Sequence, residues 1–233
     1  MNEFSDSFLE SIKTIDGFIL KNKSPSCGVK NVNVYNSFED SRPVKKGFGI
    51  FASKLIKKFS NLPIEDEGRL RNLFIRENFL TRIFTNAEFH KVHSHGFQEI
   101  SNFHTKNKLL LMAYNPENAH KMGQILSDRS KRNLKVIQDS YEYLLFETLS
   151  KTPKISLNNN VLMHALGYFS NKLTHDEKDF FLNILNENRD GRIPLLVCLN
   201  IIKLWMIRFD QDYLIKQTFF EPYPPELMQI TFI

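Results

Sequence analysis

Two cysteines in 233 residues are too few for a disulfide framework, and Cys27 and Cys198 stand far apart in the chain. So little thiol fits a reducing compartment, and the expected location is the cytoplasm. Long apolar runs are also missing: Ile193 to Leu199 and Ile201 to Phe209 are broken by Asn200, Lys203 and Arg208, well short of the ~20 residues that a membrane span needs. The first ten residues carry Glu3, Asp6 and Glu10, where a secretory signal would have a basic start and an apolar stretch. No glycine-rich phosphate loop, Gly-x-Ser-x-Gly elbow or His-Glu-x-x-His pair occurs. Charge of one sign is scarce as well, because 31 basic residues against 26 acidic ones leave a net charge of only +5. That excess permits phosphate-bearing partners without requiring them.

A 42% hydrophobic content is present, enough for a buried core in one or two domains. Phe8, Leu9 and Ile12 predict a short helix, and Gly17 to Leu20, bounded by Asp16 and Lys21, predicts a buried strand. Val32 and Val34 alternate with asparagines in strand fashion, whereas Asn36 to Lys46 reads as loop. So few strands do not make an ordinary sheet, which normally needs three or more. Phe51, Leu55, Ile56 and Phe59 recur at helical spacing, and Glu65-Asp66-Glu67 reads as a polar loop capping the amphipathic segment from Arg69 onward. From Phe97 the patterns are helical throughout: 97–114, 116–126, 131–149, 161–169, a segment opened by a capping box at Thr174 to Glu177, a long helix from Pro194, and a further one from Gln211 to Phe219. The expected fold class is α+β, with a short α/β piece over 1–46, a helical connector over 47–96 and an all-α domain over 97–233.

Few residues carry chemistry. Cys27 follows a predicted strand and is framed by Pro25 and Gly28, with Lys21, Lys23 and Lys30 nearby. Functional groups of α/β proteins collect at such strand ends, and the lysines favour thiolate; the plainer reading is a turn cysteine with no task. Cys198, inside an apolar helix, reads as a core residue. His90 and His93 have the i, i+3 spacing of a metal pair, against the alternative of a solvated histidine-rich helix end. Lys121, Arg129, Lys131, Arg132 and Lys135 form a basic stretch near His120 that can bind phosphate, although such charges usually make a solvated face. His104 stands with Lys106 and Lys108, and His164 reads as a core or edge histidine.

Several segments carry a family resemblance. Asp16-Gly17-Phe18-Ile19-Leu20-Lys21, Ser24-Pro25-Ser26-Cys27-Gly28, Gly47-Phe48-Gly49-Ile50-Phe51-Ala52 and Leu62 to Leu70 resemble the carboxyl-terminal part of TudS-like thiouracil desulfidases. The remainder looks like the YbgA-type domain often fused behind them, through Arg76-Glu77-Asn78-Phe79, Phe103-His104-Thr105-Lys106, Lys108 to Ala113 and Glu221 to Leu227. Asn107 and Tyr114 stand where the YbgA pattern has histidines. The resemblance implies a four-iron, four-sulfur cluster held by three cysteines, of which Cys27 matches the last; the other two ligands and the catalytic acid belong to a region with no counterpart here.

The expected function is therefore that of a YbgA-like accessory or partial subunit, linked to thiolated pyrimidine nucleotides or RNA, without desulfidase activity or a cofactor of its own. One alternative is a split desulfidase whose cluster is completed by a partner chain carrying the missing half. Another is an interaction module that self-associates through its short sheet.

Overall fold

Helix α1 (Asn2–Ser11) buries Leu9 and lies beside α2 (Ile50–Lys58), where Phe8 meets Phe51 at 6.0 Å between ring centroids. Lys54 pairs with Asp6 at 2.7 Å, and Lys58 Nζ donates to the carbonyl of Leu9 at 2.8 Å, satisfying a backbone acceptor that the last turn of α1 leaves open. These elements belong to a computed structural model, which describes residues 2–37, 42–128 and 133–228. The described residues fall into two compact units, one reaching Glu88 and including the segment from Glu226, the other Phe89–Pro225. Helix α3 (Leu73–His93) runs through the division.

In the first unit, β1 (Phe18–Leu20) pairs in parallel with β4 (Ile64–Asp66), with Phe18 opposite Ile64 and Leu20 opposite Asp66. A second ladder joins β2 (Val32–Val34) antiparallel to β3 (Lys45–Gly47). The acidic run expected to be a loop is thus mostly strand: Asp66 is only 2% exposed, and its Oδ1 accepts from the backbone N–H of Arg69 at 2.8 Å. The run does act as a cap, but the segment it caps is a single 3-10 turn, Arg69–Arg71, ahead of α3. Periodicity could not expose β4, because three residues paired along one edge are too short to show alternation. Segment 47–96, expected as a helical connector, supplies α2, β4 and the whole of α3, and the division between the compact units falls at 88/89.

The second unit is built from α4 (Phe97–Tyr114), α5 (Pro116–Ser127), α6 (Leu134–Ser150), α7 (Ile155–Gly167), α8 (His175–Arg189), α9 (Leu195–Phe209) and the short α10 (Asp212–Ile215). Its boundaries follow local chemistry. Asn115 Oδ1 accepts from the N–H groups of Glu117 and Asn118 at 3.1 and 3.2 Å, with Pro116 in the first helical turn. Thr174 and Glu177 form the expected reciprocal capping box. The core stacks Phe89 on Tyr141 at 5.6 Å and sets Phe181 edge-on to Trp205 at 5.2 Å. Each such ring removed from water contributes about 1.5–3 kcal/mol. The α+β organisation read from the sequence holds. No helix among the described residues is long and apolar enough to cross a membrane.

The helix expected over Gln211 to Phe219 stops at Ile215, for an identifiable reason. Gln217, 3% exposed, turns inward: its Oε1 accepts from the N–H of Leu109 at 3.1 Å and its Nε2 donates to the carbonyl of Thr105 at 2.8 Å. Those are the donor and acceptor that an α-helix ordinarily pairs with each other, so the amide bonds to one step of the α4 ladder from the side. Thr218 continues the strap, its N–H donating to the carbonyl of Lys106 at 3.1 Å and its hydroxyl to Asn107 Oδ1 at 2.6 Å.

Candidate functional site

The Ser-Pro-Ser-Cys-Gly turn is fastened at both ends of its own backbone. The hydroxyl oxygen of Ser24 accepts from the N–H groups of Cys27 and Ser26 at 3.1 and 3.3 Å, and the carbonyl of Ser24 accepts from Gly28 at 2.9 Å. Three further acceptors of the turn face the start of α2. Gly28, Pro25 and Ser26 take the N–H groups of Gly49, Ile50 and Ala52 at 2.8, 3.1 and 3.1 Å. Helix α2 has no side-chain cap, so these loop carbonyls satisfy N–H groups that would otherwise be orphaned. A Cβ on Gly49 would strike the backbone of Ser26 and Cys27, which explains a glycine there. Cys27 emerges from this locked turn partly exposed and free.

Beside the turn lies a cavity of about 700 Å³, wholly within the first unit. It opens beyond the carboxyl ends of the parallel pair β1 and β4, the place where open α/β sheets bind ligands. Pro25 of the turn forms part of its wall, and Lys23, Lys30, Lys46 and Arg69 bring cationic groups. Arg69 is engaged by Glu65 through Nε–Oε2 at 2.6 Å and Nη2–Oε1 at 3.3 Å, and this partner raises its already high pKa. Lys23, Lys30 and Lys46 have no carboxylate partner among the described residues. Among the described residues the one acid on the wall is Asp66, whose Oδ1 is occupied by Arg69 N–H. Sequence patterns single out Lys23 and Lys30 through Cys27 but miss Lys46 and Arg69. Only the β2–β3 ladder and the turn after β4 bring those two to the same wall.

The other candidates separate. Cys198 is fully buried in α9, where desolvation pushes its thiol up to about 11, as expected of a core residue. Lys121 pairs with Glu117 at 2.6 Å and Lys135 with Asp139 at 2.8 Å, each four residues along its own helix; Arg129, Lys131 and Arg132 lie outside the described residues. His164 is exposed and not the core or edge residue expected, because it falls on the outer face of α7 while Val161, Leu162 and Ala165 face inward. His90 packs edge-on to Phe146 at 5.9 Å, whereas His93 faces Glu142, so the two histidines have different surroundings. His104 Nδ1 is hydrogen-bonded to the hydroxyl of Tyr141 at 3.1 Å, and burial lowers its pKa to about 4. Asn107, where the YbgA pattern has a histidine, is fully buried and donates to the carbonyl of Phe103 at 2.9 Å.

The fit of an iron–sulfur cluster is decided by thiolate supply. A cluster held by three cysteines needs three sulfurs converging on one spot. This chain has two in all, and that of Cys198 is enclosed in the core of the helical unit. The residues present do not fit such a cluster by themselves.

Comparison with known proteins agrees with this two-part organisation. The profile of the family described as protein of unknown function (DUF1722) matches residues 108–224, and that of the family described as 2-thiouracil desulfurase matches residues 1–67. The uncharacterized protein YbgA of Escherichia coli (strain K12) is 28% identical over 151 residues, which cover 64% of this chain and 89% of that protein. No solved structure matches. A YbgA-like helical domain thus follows a segment similar to 2-thiouracil desulfurase, and with half of its residues under one profile the chain belongs to the DUF1722 family.

Proposed function

We propose that the protein is an accessory or partial subunit in the metabolism of thiolated pyrimidine nucleotides or RNA, binding a phosphate-bearing pyrimidine in the cavity that Pro25 of the Cys27 turn helps to wall, and removing no sulfur by itself. One observation carries the reading: three lysines that have no carboxylate partner among the described residues share the wall of a cavity large enough for a nucleotide. Phosphate oxygens would supply the negative charge these ammonium groups lack, and Asn22, Asn31 and Asn33 offer amides able to hydrogen-bond a base or ribose. The similarity of residues 1–67 to 2-thiouracil desulfurase supports a thiolated pyrimidine as the base.

Calorimetric titration of the full chain with a thiolated uridine monophosphate and with its nucleoside tests this. The monophosphate is expected to bind more tightly, with an affinity that falls as salt rises, and Lys23→Ala with Lys30→Ala is expected to abolish the difference. Equal binding of the two compounds, or none, overturns the reading.

The rigid presentation of Cys27 favours a second reading, a split desulfidase in which this thiol is one ligand of a cluster completed by cysteines from outside these 233 residues. Anaerobic incubation with iron and sulfide is then expected to give absorbance near about 400 nm only when a chain supplying further cysteines is added. Cys27→Ala is expected to remove it. No absorbance on mixing excludes this second reading.

A further inference from the structure

The last turn of α3 and the middle of α6 bring together three metal-ligating side chains that the nucleotide reading does not use. His93, Asp139 and Glu142 each offer one ligand atom, and the three atoms lie within 4.8 Å of one another. Asp139 and Glu142 are three residues apart on α6 and so share a face. His93 is held against them by packing: its ring meets Phe89 edge-on at 5.4 Å, and Gln138 Nε2 donates to the His93 carbonyl at 2.6 Å.

A second observation points to a ligand. The His93 side chain is a quarter exposed, but its Nε2 atom is buried and has no hydrogen-bond partner among the described residues. It faces Glu142 Oε2 at 3.9 Å, too far for a hydrogen bond. Buried polar nitrogens are ordinarily satisfied, so an orphaned imidazole nitrogen aimed at a carboxylate leaves room for something between them. Two ligands each about 2.1 Å from an ion are at most about 4.2 Å apart, so a small side-chain rotation closes the set. The site also sits at the carboxyl end of α3, where the helix dipole favours positive charge.

We propose that His93, Asp139 and Glu142 bind one divalent first-row transition ion, with Zn²⁺ preferred over Mg²⁺ because one of the three donors is an imidazole nitrogen. Two carboxylates balance the charge of the ion, and the open coordination positions are taken by water, as at sites with three protein ligands. Lys135 holds Asp139 Oδ1 at 2.8 Å, which leaves the second carboxylate oxygen for the metal. This site is independent of the nucleotide cavity.

The test is titration of the full chain carrying Cys27→Ser, which removes the exposed thiol as a competing ligand, with ZnCl₂ and MgCl₂. One Zn²⁺ per chain is expected, bound more tightly than Mg²⁺ and lost in His93→Gln and in Glu142→Gln. Far-UV circular dichroism confirms that both variants fold, and Asp139→Asn, at an exposed carboxylate, gives a third reading of the same site. Co²⁺ is expected to produce visible d–d bands that vanish in His93→Gln. Absence of one-to-one Zn²⁺ binding, or binding unchanged in all three variants, overturns the proposal.

Discussion

His104 Nδ1 and the hydroxyl of Tyr141 form a 3.1 Å hydrogen bond that ties α4 to α6 inside the helical unit. Tyr141 is fully buried and desolvation raises its pKa, so the phenol stays neutral and the bond gives its polar end a partner. Burial, helped by nearby Lys108, likewise keeps the imidazole neutral down to a pKa of about 4.

This relationship predicts a pH dependence. The folded-state pKa of His104 is below its unfolded value of 6.5, so the unfolded chain binds more protons between those limits. The contribution is fully present above about pH 6.5 and is lost as pH falls toward 4. Urea denaturation at pH 7.5 and pH 5 is expected to show a loss on the order of 2 kcal/mol from this group. His104→Gln should flatten that part of the profile; an unchanged slope would show that the imidazole is protonated in the fold.

Gln217 holds two backbone groups of α4 at once, so removing its amide leaves Leu109 N–H and the Thr105 carbonyl without that partner. Gln217→Ala is expected to destabilise the protein by about 2–4 kcal/mol, since each buried unsatisfied group costs about 1–3 kcal/mol. Gln217→Glu keeps the acceptor for Leu109 but removes the donor to Thr105, and should also destabilise. Thermal unfolding of the two variants checks this, and a wild-type midpoint for either would mean that α4 closes its own ladder.

Gly49→Ala drives a methyl group into the Ser26–Cys27 backbone, which is itself bound to α2. A loss of about 1–3 kcal/mol is expected, the usual range for overpacking. The turn should loosen with it, so that Cys27 reacts faster with a thiol reagent while the helical unit keeps its circular dichroism. An unchanged rate would show that the turn does not depend on its seat over α2.

The two thiols should also differ in plain reactivity. Cys27 is partly exposed, whereas Cys198 is sealed in the core with its pKa pushed up to about 11. One equivalent of thiol reagent per chain is expected under native conditions and two in denaturant, with the native equivalent absent from Cys27→Ser.

By itself the sequence determined the helices that bury a wide stripe, such as α4 and α6, and the caps at Asn115 and Thr174. The 3.6-residue period and capping chemistry are local properties written into neighbouring residues. That Cys27 lies in a turn after β1 was legible for the same reason, since Pro25 and Gly28 flank it. Tertiary structure alone decided the rest: that Asp66 sits in a strand, that Gln217 leaves its helix to bond α4 from the side, that Lys46 and Arg69 join Lys23 and Lys30 at one cavity, and that His93 meets Asp139 and Glu142 and not His90. Each of these joins positions from different elements, and side chains distant in sequence are brought within bonding distance only by the packing that buries the apolar faces between them.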